Sequence, residues 1–308
     1  MNTKAPRIVF IFTNAKDNVI RDVQAENDAD TPLHGMNHFA GVEYMTIHPQ
    51  SIRAALFIPR LLRYDFIIAQ DNFLLGFIVS HYARLCRLKT RWLYVAIHSS
   101  TLMRRHAAHP IRLFLLKHFW ASYARIICIS SLQLEDFVRL GIPREHLVCI
   151  PFGVDAPFFQ RAGVSREEDL IVSVGRDAGR DYGTLFKAAE QVGYPFVVVA
   201  GHKNISPDMP VPAHVSVQYD RPLAEVRDLY EAVIATRRAW MTDYFVPDQD
   251  LRVVEPNDPK ALAHAIALLW QDAQKRERLA ASGHAKVVER YTTKMFAEAL
   301  RRLMDSLV

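Results

Sequence analysis

The chain has 308 residues, half of them hydrophobic and 23% charged. That is an ordinary soluble composition, long enough for two compact domains or one large one. The start is polar through Arg7 and the apolar run 8–12 is short. Neither a signal peptide nor a membrane span is expected there. Cys86, Cys128 and Cys149 sit in apolar contexts without metal-ligand spacing and are expected to be buried free thiols in a reducing cytosol. The formal charge of +5 is uneven: residues 53–125 hold 12 Lys/Arg against Asp65 and Asp71 alone, about +10. Large apolar residues are interleaved with these cations. The pattern suits contact with an anionic membrane surface, and it equally suits a solvated basic face beside a core. No RNA- or DNA-reading motif is present, so no nucleic-acid partner is expected.

In chain order, residues 7–13 (RIVFIFT) read as a buried parallel strand. Residues 41–47 read as a second strand, 51–62 as a helix and 64–70 as a third strand. Residues 74–88 form a strongly apolar helix, 91–98 a fourth strand, 111–123 a helix and 125–129 a fifth strand. Ser130 or Ser131 can cap the helix that follows, since a side-chain oxygen satisfies its free N–H groups. Gly141-Ile142-Pro143 stops that helix. A second unit begins near Glu167, with a strand at 169–174, a polar loop at 175–182 and a helix at 182–191. Strands at 196–200 and 215–219, a helix at 223–232 and a strand at 251–254 follow. Helices at 259–270, 273–289 and 292–307 close the chain. This alternation predicts parallel sheets covered on both faces.

Between residues 126 and 159 a buried strand, a serine-capped helix and a second strand lead into Pro151-Phe152-Gly153-Val154-Asp155 and then Phe159. This ordered set resembles the end of the first domain of retaining family-4 (group 1) glycosyltransferases of the GT-B fold. There, "P-x-G-V-D-x-x-x-F" marks the crossing between two domains. Further matches are Val172-Ser173-Val174-Gly175-Arg176, Asp181-Tyr182-Gly183-Thr184-Leu185, and Val254-Glu255-Pro256-Asn257-Asp258-Pro259 with Leu262 and Ile266. The resemblance covers most of residues 126–303 and is weaker before residue 90. It implies an α/β protein of two Rossmann-like domains facing each other across a cleft. Residues 1–155 are expected as the acceptor-side domain and 156–290 as the donor domain. Residues 291–308 are expected as a helix crossing back to the first domain.

The implied activity is sugar transfer from a nucleotide-diphospho sugar to a hydroxyl acceptor with retention at the anomeric carbon. Charge develops on the departing diphosphate, and preorganised cations aimed at it lower the barrier. In the loop 175–182, Gly175 and Gly179 allow close backbone approach, and Arg176 and Arg180 can bond phosphate oxygens in a fork. The resemblance places the donor diphosphate on Arg176, with Arg180 near where the family carries a lysine. It places a sugar contact at His98, which closes the fourth strand. Asn14, ending the first strand, and Gly35 are candidates for the acceptor side or the cleft. The family's Gly-rich loop is missing there. Gly153 and Asp155 mark the interdomain seam. No protein nucleophile is assigned, because the family is described by a front-face mechanism in which the leaving phosphate helps take the acceptor proton.

No cofactor and no metal are expected. Asp28-Ala29-Asp30 and Asp248-Gln249-Asp250 have a D-x-D form that binds metal in a different glycosyltransferase fold. His34 and His38 lack the glutamate of H-E-x-x-H. Neither a nucleophile elbow nor a Walker loop occurs.

One departure bears on the donor site. Residues 223–232 run into the strand-like 233–236 with no turn residue between them, whereas such a connection normally takes about 2–6 residues. The family has a further strand, a loop and a glutamate-bearing helix at this point, a unit of roughly 30 residues. Its absence near residues 230–233 leaves Glu231 without the second glutamate, so the family's glutamate roles are not assigned. Expected partners are a nucleotide-diphospho sugar and a glycan, lipid-linked or small-molecule acceptor. The expected location is the cytoplasm, on the inner face of the membrane. The competing expectation is a degenerate transferase that binds a nucleotide or glycan, or scaffolds an assembly, without catalysis.

Overall fold

The computed structural model describes residues 5–12, 17–25, 28–48, 52–70, 73–159, 170–175, 180–221, 225 and 234–308. Contacts divide the chain into two compact units. Unit 1 holds residues 1–22, 30–154 and 291–308, and unit 2 holds 23–29 and 155–290.

Unit 1 is built on a six-stranded parallel sheet in the order β2-β1-β3-β4-β5-β6. The strands are β1 (Ile8–Phe12), β2 (Val42–Thr46), β3 (Phe66–Ala69), β4 (Arg91–Ala96), β5 (Arg125–Cys128) and β6 (Leu147–Cys149). The inner strands are near-continuous apolar runs because helices cover both faces, and every residue of β1 and β3 is buried. Short helices α1 (Asp17–Gln24) and α2 (Ile58–Leu61) precede α3 (Phe73–Leu85). After them come α4 (Ser99–Arg105), α5 (Pro110–Ala121) and α6 (Ser131–Arg139). Helix α3 packs close to the sheet because residue 76 is glycine: a Cβ there would stand 2.7 Å from Tyr123 and 2.9 Å from Trp92. Trp92, Tyr94, Trp120 and Tyr123 form the aromatic centre of this core. Tyr94 and Tyr123 stack at 5.5 Å.

Two segments differ from the sequence expectation. Residues 51–62 are not one helix: Ile52–Phe57 is a 3-10 segment and α2 starts only at Ile58, with Pro59 in its first turn. Proline has no N–H to give and its ring clashes with the carbonyl four residues back, so an α-helix cannot run through it. The fourth strand stops at Ala96, because His98 is already the N-cap of α4. The sequence showed no helix there.

In unit 2, β7 (Ile171–Gly175), β8 (Phe196–Ala200) and β9 (Val215–Tyr219) form a parallel sheet. Strands β10 (Ile234–Thr236) and β11 (Arg252–Val254) form a separate parallel pair among the described residues. Among the described residues, this unit's α-helices include α7 (Ala156–Phe159), α8 (Tyr182–Val192), α9 (Pro259–Gln271) and α10 (Ala273–Arg290). Tyr182, Phe186, Phe196, Val198, Val215 and Ile266 make the core, with Ile171 and Ile234 packed against it. The junction at 226–233, with Glu231, lies outside the described residues.

The last helix, α11 (Thr293–Asp305), belongs to unit 1. The sequence entering it runs beside Val154: Val154 N–H donates to the Tyr291 carbonyl (2.7 Å), and Thr293 N–H donates to the Val154 carbonyl (3.1 Å).

Candidate functional site

In unit 1 the chain goes from β1 to β2 on one side and then to β3 on the other. The crevice at the carboxyl ends of β1 and β3 is therefore the topological switch point, where α/β sheets bind ligands. His98 lies at the same edge, two residues past β4. Its side chain is exposed and its carbonyl accepts the Leu102 N–H of α4 at 3.0 Å. Beneath it Ser99 is buried and hydrogen-bonded to the Tyr94 hydroxyl at 2.9 Å, which fixes the start of α4 and the direction in which His98 leaves the sheet. Among the described residues the His98 ring has no hydrogen-bond partner and is available to one.

Gly35 takes a left-handed φ of 70° and is buried against α11, where a Cβ would stand 3.1 Å from that of Ala297. Its neighbour His34, also left-handed at φ 49°, is buried and hydrogen-bonded to Gln70, the first residue after β3. The His34 ring lies 5.6 Å from Phe10 and 5.2 Å from Phe152. His34, considered in the sequence only as part of an incomplete metal motif, and Gln70, which the sequence did not single out, are thus polar groups at the switch point. The signal for them is long-range, since only the turn at 34–35 carries His34 back to β3. Asn14 lies outside the described residues.

Asp30 is a structural carboxylate. Its Oδ2 accepts from Asn37 Nδ2 (2.8 Å) and Thr293 Oγ1 (2.9 Å), and His38 Nε2 lies 3.2 Å away. In unit 2, Asp248 pairs with Arg252 at 2.6 Å. Asp250 receives the Val246 N–H at 2.7 Å, the Ser282 hydroxyl at 2.8 Å and the Lys286 ammonium. Among the described residues no three His, Cys, Asp or Glu side chains cluster as metal ligands would.

The donor-loop candidates in unit 2 come together in part. Gly175 ends β7, and its carbonyl accepts the Tyr182 hydroxyl at 2.6 Å. The exposed Arg180 side chain lies over the α-carbon of Gly175, where any Cβ would collide with the guanidinium. Gly175 is therefore what lets Arg180 fold back onto the end of β7. Arg176 and Gly179 lie outside the described residues. The first turn of α8 is capped from within, because Asp181 accepts the Thr184 N–H at 3.0 Å and its hydroxyl at 2.6 Å. An anion near this loop would meet the Arg180 cation beside a turn whose N–H groups are already partly satisfied.

Of the two residues expected at a seam, Gly153 touches the entry to α11, where a Cβ would stand 2.6 Å from the Thr292 carbonyl oxygen. Asp155 caps α7 by accepting the Phe158 N–H at 3.1 Å.

Residues 8–153 match the model of the glycosyl transferase 4-like domain. No curated protein sequence matches. Among solved structures, HepE from Anabaena in complex with UDP and glucose matches with a TM-score of 0.74 at 13% identity. That match covers 98% of this chain and 100% of HepE. The sucrose-phosphate synthase of Thermosynechococcus elongatus matches with a TM-score of 0.70 at 17% identity, over 98% of this chain and 99% of that one. A glycosyltransferase from Rickettsia africae matches with a TM-score of 0.68 at 11% identity, over 98% of both chains. Residues 8–153 thus match a glycosyl transferase 4-like domain, and the chain has the α/β fold of the GT-B glycosyltransferases.

Proposed function

We propose that this chain is a cytoplasmic glycosyltransferase. It moves a sugar from a nucleotide-diphospho sugar to a hydroxyl of a glycan, lipid-linked or small-molecule acceptor, in the synthesis of a cell-surface glycan. The anomeric configuration is retained. The bond from the anomeric carbon to the diphosphate oxygen breaks, a bond to the acceptor oxygen forms on the same face, and the acceptor proton passes to the leaving diphosphate. The observation that carries this reading is Arg180 folded over Gly175 at the carboxyl end of β7, in a chain with this fold. A guanidinium there can stabilise the charge of the leaving group. Arg176 is assigned the same task from its place in the loop. His98, exposed at the end of β4, is assigned to the sugar.

Thermal melts with UDP-, GDP- and ADP-sugars test the proposal. A donor present at a hundred times its Kd stabilises the native chain by about 2.7 kcal/mol, so one nucleotide class should raise the melting temperature and the others should not. Arg180→Ala should lower kcat/KM about a hundredfold and leave the unliganded melt unchanged, since the side chain is exposed. If no nucleotide sugar shifts the melt, the proposal fails.

A second reading has one specific observation in its favour: the missing glutamate-bearing helix near residues 230–233. On that reading the chain binds the donor or a glycan without turning it over. A donor that raises the melting temperature while no sugar is released to water or to any acceptor would select it.

A further inference from the structure

Helices α3 and α5 pack side by side on one face of the unit 1 sheet, with Phe77 and Phe119 in edge contact at 5.4 Å. Helix α3 buries Leu75, Gly76, Val79 and Ala83. Its opposite stripe is also apolar: Leu74, Ile78, Tyr82 and Leu85 follow at helical spacing and are exposed, Leu85 by 82%. Helix α5 repeats this with Ile111 (76% exposed), Phe114 (59%) and Leu115. A helix on a water-facing layer normally turns a polar stripe outward, and contiguous exposed apolar surface marks a binding face.

Charge says what covers it. No Asp or Glu stands between Asp71 and Glu135, while nine Lys or Arg do. Ion pairs among the described residues flank this stretch, at Arg60–Glu43 and Arg139–Asp136, and none falls within it. Just past the exposed stripe of α3, Arg84, Arg91 and Arg125 line a cavity of about 270 Å³ that no carboxylate lines. Arg84 and Arg125 are held there by the carbonyls of Ser122 (2.6 Å) and Ala124 (2.7 Å), with their remaining N–H donors to spare. Partial burial, and then the charges of Arg112 and Arg105, hold His106 below the usual histidine range.

We propose that unit 1 docks on an anionic lipid bilayer through the outward face of α3 and α5. The exposed leucines, isoleucines and phenylalanine enter the boundary between headgroups and acyl chains, and the surrounding cations meet lipid phosphates. A second copy of the chain fits poorly. A twofold interface through this face would set an acid-free basic surface against itself. Nucleic acid would satisfy the cations and leave the apolar stripes idle. Exposure and charge drive this docking whether or not the chain transfers sugar.

Co-sedimentation with vesicles tests it. The chain should pellet with phosphatidylcholine vesicles containing phosphatidylglycerol and stay in solution with phosphatidylcholine alone, and salt should weaken the binding. Ile111→Ser with Phe114→Ser should weaken it at least tenfold, since two exposed apolar side chains lose their burial. Arg104→Glu with Arg105→Glu and Arg112→Glu should weaken it at least a hundredfold, at about fivefold per cation. Both variants change exposed positions and should keep the parent's circular-dichroism melt. Absence of binding to anionic vesicles would overturn the proposal, as would binding that survives both sets of changes. A soluble dimer that Ile111→Ser with Phe114→Ser splits, without vesicle binding, would assign the face to a second copy. Pelleting with RNA and not with vesicles would assign it to nucleic acid.

Discussion

At the scale of single residues, the three cysteines show how burial decides chemistry. Cys128 ends β5 inside the sheet core, and burial pushes its thiol far above the usual range, with a smaller push from Cys149 and Asp136. Thiolate is the reactive form, so Cys128 is chemically silent in the native protein. Cys86 and Cys149 are exposed. A thiol reagent at pH 8 should therefore modify two of the three sulfurs in the native chain and the third only after denaturation; mass spectrometry of the labelled protein reads the count. Rapid labelling of all three under native conditions would contradict the buried position of β5. The apolar sequence contexts predicted all three buried, which holds for Cys128 and fails for Cys86 and Cys149. Cys149 and Cys128 pair across the same two strands, and only the sheet's edge, with β6 outermost, leaves Cys149 exposed.

At the scale of elements, local chemistry made much of the chain legible. Ser130 caps α6 by accepting the Gln133 N–H, and Asp258 caps α9 ahead of Pro259, as Ser and Asp do at helix starts. The strands β1, β8 and β9 stand where short apolar runs predicted them. What local chemistry missed depends on distant partners, as with His34 beside Gln70. Asp250 is a further case. Burial alone would raise the pKa of its carboxyl, but hydrogen bonds from Lys286, Val246 and Ser282 outweigh this and hold it below the usual range. A carboxylate with a depressed folded pKa stabilises the fold above about pH 4, and that contribution is lost as pH falls through the depressed value. Asp250→Ala should cost about 3 kcal/mol at pH 7, the low end for breaking a buried pair because Lys286 stays partly in water. Urea melts at pH 7 and pH 3 should show the difference shrinking at the acid end. A pH-independent difference would mean that packing, not charge, sets the cost. Nearby, a Cβ at Gly283 of α10 would strike the Asp250 carbonyl oxygen. Gly283→Ala should therefore lose about 1–3 kcal/mol to overpacking, although alanine favours a helix more than glycine does.

At the scale of the whole molecule, unit 1 is made of distant pieces of chain, and its integrity depends on how the last piece is held. The chain leaves after Val154 and returns at Tyr291, and a parallel bridge joins Val154 to Thr292. The contacts that hold α11 include Asp30 on Thr293, Gly35 against Thr293 and Ala297, and Gly153 against Thr292 and Thr293. The motif around Gly153 stood out in the sequence through its resemblance to a family. Its physical reason is close backbone approach, which a sequence does not display. Any Cβ on residue 153 would stand 2.6 Å from the Thr292 carbonyl oxygen and 2.6 Å from the Thr293 nitrogen. These are backbone atoms, which cannot rotate out of the way as a flexible side chain does. Gly153→Ala must therefore push α11 off its seat, at a cost of about 1–3 kcal/mol. The loss should be local. Amide exchange in α11 should quicken while that in α8 and β8 of unit 2 stays at the parent rate, because each unit has its own core. Unchanged exchange in α11 of a folded Gly153→Ala chain would show that residues 152–154 do not hold the returning helix.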